Sequence, residues 1–506
     1  MMDVIFQLLA PGTLLFILIG SVLGLFIGAL PGLSATMGVA ILTPMTFWLP
    51  PEQGLAMLIS IYCVAIFAGG IPAILINTPG TPASMVTTFD GYPLTQQGKG
   101  GLALGINAIY SGLGGLVSVV FLILLAKPIS KFALNFGAAE YFALAFFGLS
   151  MMISISGKSI RKGIISGFIG LLIATVGLDP ITSTQRFTFG NSEIYEGVSF
   201  VPIMIGLFGM GEIFFQFLLK KEHAPKKKET LSKKEIGRVI PNKSERKEMR
   251  KPFWGSAIIS PIIGAIPGAG GDIASIVTWE QSKRFSKGKK KEEYGKGSLG
   301  GLAATTSANN GVIGGAFATM LTLGLPGDAV TAILIGSLMM YGMQPGPNLF
   351  VENPDIIHTI FGLLLISNIL VIVVGLLGAK IFSRIILIKQ EYIWLSVILF
   401  CIVGSFAMNN SYFDVWIALI FGIVGLIFRK LDYPLGPLIL GLILGPMAES
   451  NFRRALVMNE GIEAYTIFFT RPISLILIVI AIASLILPFI LKFIRSKGDP
   501  EERVER

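Results

Sequence analysis

Two Pro-Gly interruptions inside apolar segments, each occurring twice, constrain this chain more than any other feature. Gly28-Ala29-Leu30-Pro31-Gly32-Leu33-Ser34 lies near the start, and Gly264-Ala265-Ile266-Pro267-Gly268-Ala269-Gly270 just past the middle. A second pair follows downstream, Asn77-Thr78-Pro79-Gly80-Thr81 and Gly324-Leu325-Pro326-Gly327-Asp328. Pro removes a helical N–H and clashes with the preceding turn, and Gly costs the most backbone entropy, so a helix is weakened at each of these places. Helix breaks at matching positions in two halves of an apolar chain are the mark of a secondary transporter built from repeats. They point to the place where substrate and ion bind.

The breaks matter because the chain around them belongs in a bilayer. Its 506 residues are 53% hydrophobic and 14% charged, against roughly 25% charged in a soluble domain. Stretches such as 360–379 and 473–494 are nearly free of charge over the ~20 residues that a spanning helix needs. The alternation of apolar and polar residues that a membrane β-barrel requires is missing. The fold class is therefore an all-α polytopic membrane protein with inverted repeats, re-entrant hairpins and broken helices. About 10–12 transmembrane segments are expected.

Charge placement orients the chain. The net charge of +10 is concentrated in 220–251 and 283–296, which read as cytoplasmic loops under the positive-inside rule and not as a nucleic-acid surface. The apolar stretch 253–281 has a basic run on each side and is too short for two spans. It is expected to enter and leave by the cytoplasmic face, as a hairpin tipped by Pro267–Asp272. Its counterpart, 13–48, has no Lys or Arg on either flank and fits entry from the outer face. Crossings are expected near 54–76, 100–126, 138–156, 163–178 and 199–219, then near 298–322, 355–380, 391–407, 413–428, 434–446 and 470–494. The odd number in the first set inverts the second half. This divides the chain into an N-terminal membrane repeat (1–219), a basic cytoplasmic linker (220–252), a C-terminal membrane repeat (253–494) and a cytoplasmic tail (495–506). Cys63 and Cys401 fall in apolar spans, so no disulfide is expected. The N-terminus lacks the pattern of a removable signal peptide.

A helix broken at membrane depth exposes N–H groups at one end and C=O groups at the other. The first attracts anions and the second cations, without buried Lys or Arg. On this basis Pro31, Gly32, Ser34, Thr36, Pro267, Gly268, Gly270 and Gly271 at the tips, with the polar cluster Ser307, Asn309 and Asn310, are candidate substrate-binding residues. Asn77, Thr78, Gly80, Thr81, Gly324, Gly327 and Asp328 are candidates for a hard cation held by oxygen. Asp272, an acid at expected membrane depth, is a candidate proton or ion site. Glu140 and Glu212 fall near expected helix ends, and His223 and His358 carry no catalytic or metal role. Nucleotide-loop, zinc and triad motifs are missing, so no enzyme and no cofactor is expected beyond a coupling ion, Na⁺ or H⁺.

These motifs together resemble one family. Gly28–Gly32, Ile76–Ser84 with Phe89–Pro93, Gly264–Gly271, Ser307–Gly311 and Leu323–Gly327 are similar to the TctA family, the large membrane subunit of bacterial tripartite tricarboxylate transporters. The resemblance runs from about Gly20 to Pro446. It implies a permease of the bacterial inner membrane that works with a small four-helix membrane subunit and a periplasmic solute-binding protein. It implies import of carboxylates, citrate among them, driven by an ion gradient. A stand-alone organic-anion carrier and an intramembrane enzyme are the competing readings.

Overall fold

The computed structural model describes residues 2–30, 33–151, 159–179, 182–222, 237–379, 390–459 and 464–498. In chain order the helices are α1 Met2–Leu9, α2 Pro11–Ala29, α3 Ala35–Thr46, α4 Pro51–Ile76, α5 Thr87–Gln96, α6 Gly100–Ala133, α7 Ala138–Ser150 and α8 Ile160–Ala174. Helix α9 Phe200–Met204 continues through a π-turn, Ile205–Met210, into α10 Gly211–Glu222. Then come α11 Lys243–Gly264, α12 Gly270–Phe285, α13 Leu299–Leu323, α14 Ala329–Met340, α15 Pro354–Gly378, α16 Gln390–Asn409, α17 Tyr412–Lys430, α18 Leu435–Met458 and α19 Pro472–Gly498. Among the described residues, seven helices are long and apolar enough to cross a membrane. The chain is an all-α polytopic membrane protein, with one two-stranded antiparallel ribbon, Gly177–Leu178 against Gln185–Arg186.

The fold divides into two compact units, one of Met1–Ala133 with Ser199–Lys430 and one of Leu134–Val198 with Leu431–Arg506. The first unit holds both sets of Pro-Gly breaks. Within it the order hairpin, long helix, break, short helix, long helix occurs twice. It runs as α2, α3, α4, α5 and α6, and again as α11, α12, α13, α14 and α15.

The two copies pack by the same rule. On α2, Gly20, Gly24 and Gly28 lie one turn apart and meet the backbone of α4 at Met57, Ile61 and Ala65. A Cβ on Gly28 would stand 2.8 Å from the carbonyl carbon of Ala65 and closer still to its oxygen. On α11 the same positions are Ser256, Ser260 and Gly264. Ser256 Oγ donates to Ala304 O at 2.6 Å, and a Cβ on Gly264 would stand 2.9 Å from the carbonyl carbon of Val312. Small residues at this spacing let membrane helices approach closely. The opposite stripe of α2, Leu15, Leu18, Val22 and Phe26, is exposed, as a lipid-facing stripe must be. Helix α4 is different: 94% of its apolar window is buried inside the protein. Its polar side chains therefore face protein, not lipid.

One boundary differs from the sequence expectation. The apolar stretch from Phe253 is the second half of α11, which starts ten residues earlier, at Lys243, inside the basic run. Asn242 caps it by accepting from Glu245 N at 2.9 Å, while Glu245 accepts from Asn242 N at 2.7 Å. This reciprocal cap satisfies two helical N–H groups and stabilises the start by about 1 kcal/mol. Burial pushes the Glu245 carboxyl up, and its hydrogen bonds to Asn242 and Arg238 outweigh this and hold it below the usual range.

The second unit, α7, α8, α18 and α19 with the ribbon, has its own core of Ala139, Ala143, Ala455, Ile467, Phe468 and Ile478. The Phe142 ring lies 5.0 Å from Phe452 and 4.9 Å from Phe468. Buried Asp179 pairs with Arg186 and with Arg453, and Glu449 completes the network at 2.9 Å from Arg186 and 3.0 Å from Arg453.

Candidate functional site at the paired breaks

Both long helices of the repeats end in the same way. Asn77 closes α4 with φ 55° and Gly324 closes α13 with φ 69°. Both are left-handed, a conformation that Gly and Asn tolerate best. The chain then turns through Pro-Gly and starts a new helical segment with an oxygen-bearing cap. In the first repeat Thr81 Oγ1 and Ser84 Oγ lie 2.7 Å apart. In the second, Asp328 Oδ1 accepts from Thr331 N at 2.8 Å, and Thr331 Oγ1 accepts from Asp328 N at 2.9 Å. Gly80 sits so tightly that a Cβ there would meet Gly69 Cα at 2.8 Å, and one on Gly327 would meet Gly264 O at 2.7 Å. Glycine at these two points is a requirement of close approach.

Each break is gripped by the long helix of the other repeat. Tyr62, in the middle of α4, donates its hydroxyl to Asp328 Oδ2. Its ring stacks on Phe317 of α13, centroids 6.1 Å apart. Asn309 occupies the corresponding place on α13, with its amide nitrogen turned toward acceptors. The nitrogen lies 2.5 Å from Ser275 Oγ, 2.7 Å from Ala83 O and 3.2 Å from Thr305 O, and its two N–H groups serve the nearer two. Ala83 belongs to the first break and Ser275 to the second hairpin. One polar side chain per repeat thus crosses over to hold the partner break.

The tips join this arrangement unequally. In the second hairpin Gly268 (φ 75°) donates its N–H to Gly327 O at 2.7 Å, joining tip to break. Pro267 and Gly271 are buried, and Gly270 has φ 57°. Asp272 is exposed in the first turn of α12. In the first hairpin Ser34 caps α3 by accepting from Met37 N at 3.1 Å, and Thr36 is half-buried beside it. Pro31 and Gly32 lie outside the described residues. Helix α3 is held by a core of Met37, Ile41, Val201, Ile205, Trp394, Val397 and Cys401. Asn77 and Thr78 are exposed, whereas Gly80 and Thr81 are buried.

The polar cluster of α13 faces two ways. Asn309 points to the breaks, as above. Ser307 and Asn310 point into the packing of the long helices, where Asn310 Nδ2 donates to Cys63 O at 2.9 Å. Sequence reasoning missed Tyr62, whose partner is an acid 266 positions away. Aligning the two halves on their breaks places Tyr62 opposite Asn309, and that was the available signal. It also missed Asp90, buried near the start of α5. Asp90 Oδ1 accepts from the N–H groups of Gly295 (2.8 Å), Gly297 (3.2 Å) and Ser298 (2.8 Å), and Oδ2 accepts from Trp279 Nε1 at 2.7 Å.

With this geometry in hand, the chain can be set beside known families. The family model of the tripartite tricarboxylate transporter TctA family matches residues 14–440. The chain belongs to the TctA family. A protein of Agrobacterium vitis described as an uncharacterized 52.8 kDa protein in the TAR-I ttuC' 3' region is 34% identical over 99% of both chains. A second from the same organism, an uncharacterized protein in the TAR-II ttuC' 3' region, is 32% identical over 47% of this chain and 96% of its own. No solved structure matches. As a TctA protein the chain is a transporter membrane component and not an enzyme.

Proposed function

We propose that this TctA protein imports a di- or tricarboxylate across the bacterial inner membrane, coupled to entry of Na⁺ or H⁺. The solute would be delivered by a periplasmic binding protein, and the permease would work with a small four-helix membrane subunit. The observation that carries the reading is the crossed grip of the two breaks, Tyr62 on Asp328 and Asn309 on Ala83. A site built from both repeats changes shape when one repeat moves against the other, which is what alternating access requires.

The charges at the helix starts suggest how the solutes divide. Helices α12 and α14 begin with Asp272 and Asp328, while the first turn of α3 has no acid. An anion is favoured at the uncharged N-terminus of α3, beside Ser34 and Thr36. A cation is favoured beside Asp328, with Gly324, Gly327, Asn77, Thr78, Gly80 and Thr81 supplying further oxygen, and a proton or second ion at Asp272. Pro267, Gly268, Gly270, Gly271 and Asn309 complete the anion side once a proton or ion at Asp272 has neutralised its charge. Bound cation offsets carboxylate charge, so each raises the affinity of the other by the same factor.

The test is uptake of radiolabelled citrate and smaller dicarboxylates into proteoliposomes containing the permease and its small subunit, with the binding protein added. Uptake that rises with an inward Na⁺ or H⁺ gradient, with the solute chemically unchanged, is the expected result. Uptake indifferent to both gradients would sink the coupling scheme.

A further inference from the structure

Helix α11 changes character along one exposed stripe. Lys247, Arg250, Lys251, Trp254, Ile258 and Ile262 follow one another at a spacing of three or four residues, so they share one face of the helix. All six are exposed, Trp254 at 50%, Ile258 at 57% and Ile262 at 52%. The opposite face, with Met249, Phe253, Ala257 and Ser260, is buried. From its N-terminal end the stripe passes from cation to indole to branched aliphatic within ~23 Å of helix.

Packing does not demand this pattern. Aligning the repeats on Gly28 and Gly264 sets Leu14, Leu15 and Leu18 of α2 against Arg250, Lys251 and Trp254. The first repeat makes its small-residue seam with an aliphatic outer stripe, so the cations and the indole of the second answer to something outside the fold. The acids nearby are engaged elsewhere, Glu245 by Arg238 at 2.6 Å and Glu248 by Lys290 at 3.1 Å. Among the described residues Lys247, Arg250 and Lys251 pair with no carboxylate. Depth fits as well. Trp settles at the boundary between hydrocarbon and headgroups. Gly264, the last residue of α11, is ten residues beyond Trp254, ~15 Å at the helical rise and half of a ~30 Å hydrocarbon core. With its end at the midplane, α11 holds Trp254 at the boundary and the three cations one to two turns beyond it, at the level of lipid phosphates.

We infer that this face of α11 binds an anionic phospholipid of the cytoplasmic leaflet. Lys247, Arg250 and Lys251 hold the phosphate and the headgroup charge, Trp254 the glycerol region, and Ile258 with Ile262 an acyl chain. One lipid presents these three chemistries in this order and over this length, which neither free phosphate nor an acidic peptide does. Each cation near an anionic lipid surface strengthens binding about fivefold. The inference rests on the second hairpin opening to the cytoplasmic face, and it is independent of cargo and coupling ion. The bound lipid anchors the mouth of that hairpin, which the Glu248–Lys290 pair ties to the segment before α13.

Bromine on an acyl chain quenches tryptophan only at close range, so Trp254 reports the lipid beside it. The full-length protein is placed in phosphatidylcholine vesicles that contain a minor fraction of brominated phosphatidylglycerol or, separately, of brominated phosphatidylcholine. The share of Trp254 is the difference from Trp254→Phe. Its quenching is expected to show a preference for phosphatidylglycerol on the order of tenfold, and the triple variant Lys247→Gln, Arg250→Gln, Lys251→Gln should bring that ratio to about one. Lys430→Gln, which removes an exposed cation from the end of α17, should leave it unchanged. The three side chains are exposed, so the triple variant should melt in neutral detergent as its parent does, which separates loss of the lipid from loss of the fold. Equal quenching by the two lipids in the parent would overturn the site, as would a preference that survives in the triple variant. Protection of Trp254 from both lipids by a co-reconstituted small membrane subunit would give the stripe to a protein and overturn it too. Carboxylate uptake is measured separately, so the transport reading and this site fail independently.

Discussion

At the residue scale the glycines and Asp328 carry the sharpest expectations. A side chain on Gly264 would overlap the carbonyl of Val312, and overpacking of this kind costs about 1–3 kcal/mol or more. Gly264→Val should therefore lower the melting temperature clearly. Gly255 lies earlier in the same helix, and a methyl group there would have no neighbour within 4 Å. Gly255→Ala should be neutral or stabilising, by up to about 1 kcal/mol. Equal effects of the two substitutions would contradict the close-packed stripe. Asp328→Asn keeps one acceptor oxygen for the Thr331 N–H that caps α14 and removes the charge together with the oxygen that accepts from Tyr62, so the protein should fold with a modest loss of stability while uptake loses its cation dependence. Asn77→Ala should show a weaker form of the same defect, because it removes one oxygen and the left-handed preference. Unchanged ion dependence in both variants would move the coupling cation elsewhere. The sequence made the break residues legible because Pro and Gly are local signals. It hid Tyr62, because an aromatic in an apolar span looks like any other until its partner is known.

At the scale of elements, the repeat was legible to the level of hairpin, long helix, break and long helix. Periodicity and charge placed the segments, and α4, α6, α13 and α15 lie where they were expected. The short helix α5 was not, since its residues, Thr87–Gln96, mix Gly, Pro and polar side chains. The start of α11 was also missed, because a capping box inside a Lys-rich run reads as linker. What fixes α5 is tertiary: Asp90 gathers four N–H donors from α12 and from the loop before α13. Removing a charged acceptor leaves those donors buried and unpaired. Asp90→Ala should destabilise the protein by about 3 kcal/mol, and Asp90→Asn by less, because the amide oxygen still serves one or two donors. Thermal unfolding in detergent measures both. Trp279 emission should shift to the red in Asp90→Ala as its Nε1 loses its partner, and an unshifted spectrum would mean that the indole is held by something else.

At the scale of the whole molecule the expectation with the widest reach is inversion of the repeats. The basic runs 220–251 and 283–296 flank the second hairpin, whereas the first has no Lys or Arg beside it. Lys283 and Arg284 close α12 at its C-terminal turn, where positive charge complements the helix dipole and favours the cytoplasmic face. By the same logic the loop after α3, which leads to Glu52 in the first turn of α4 and carries no Lys or Arg, belongs to the outer face. Crossed gripping of the breaks is what two inverted copies sharing one centre would produce, yet packing alone does not say which face is which, because the bilayer reads only the charges. Single cysteines decide it. The native Cys63 and Cys401 are buried at 0% exposure, so an impermeant maleimide should ignore them. In intact spheroplasts it should label Glu52→Cys and leave Ser232→Cys and Ser286→Cys untouched, while in inside-out vesicles the pattern should reverse. Labelling of all three from one side would make the repeats parallel, and the two tips would then open to the same compartment. Labelling of Ser232→Cys and Ser286→Cys from opposite sides would turn the second hairpin into a full crossing. Either result would remove the physical basis for a shared midplane site, because two tips must enter from opposite faces to approach each other with their N–H ends toward one solute.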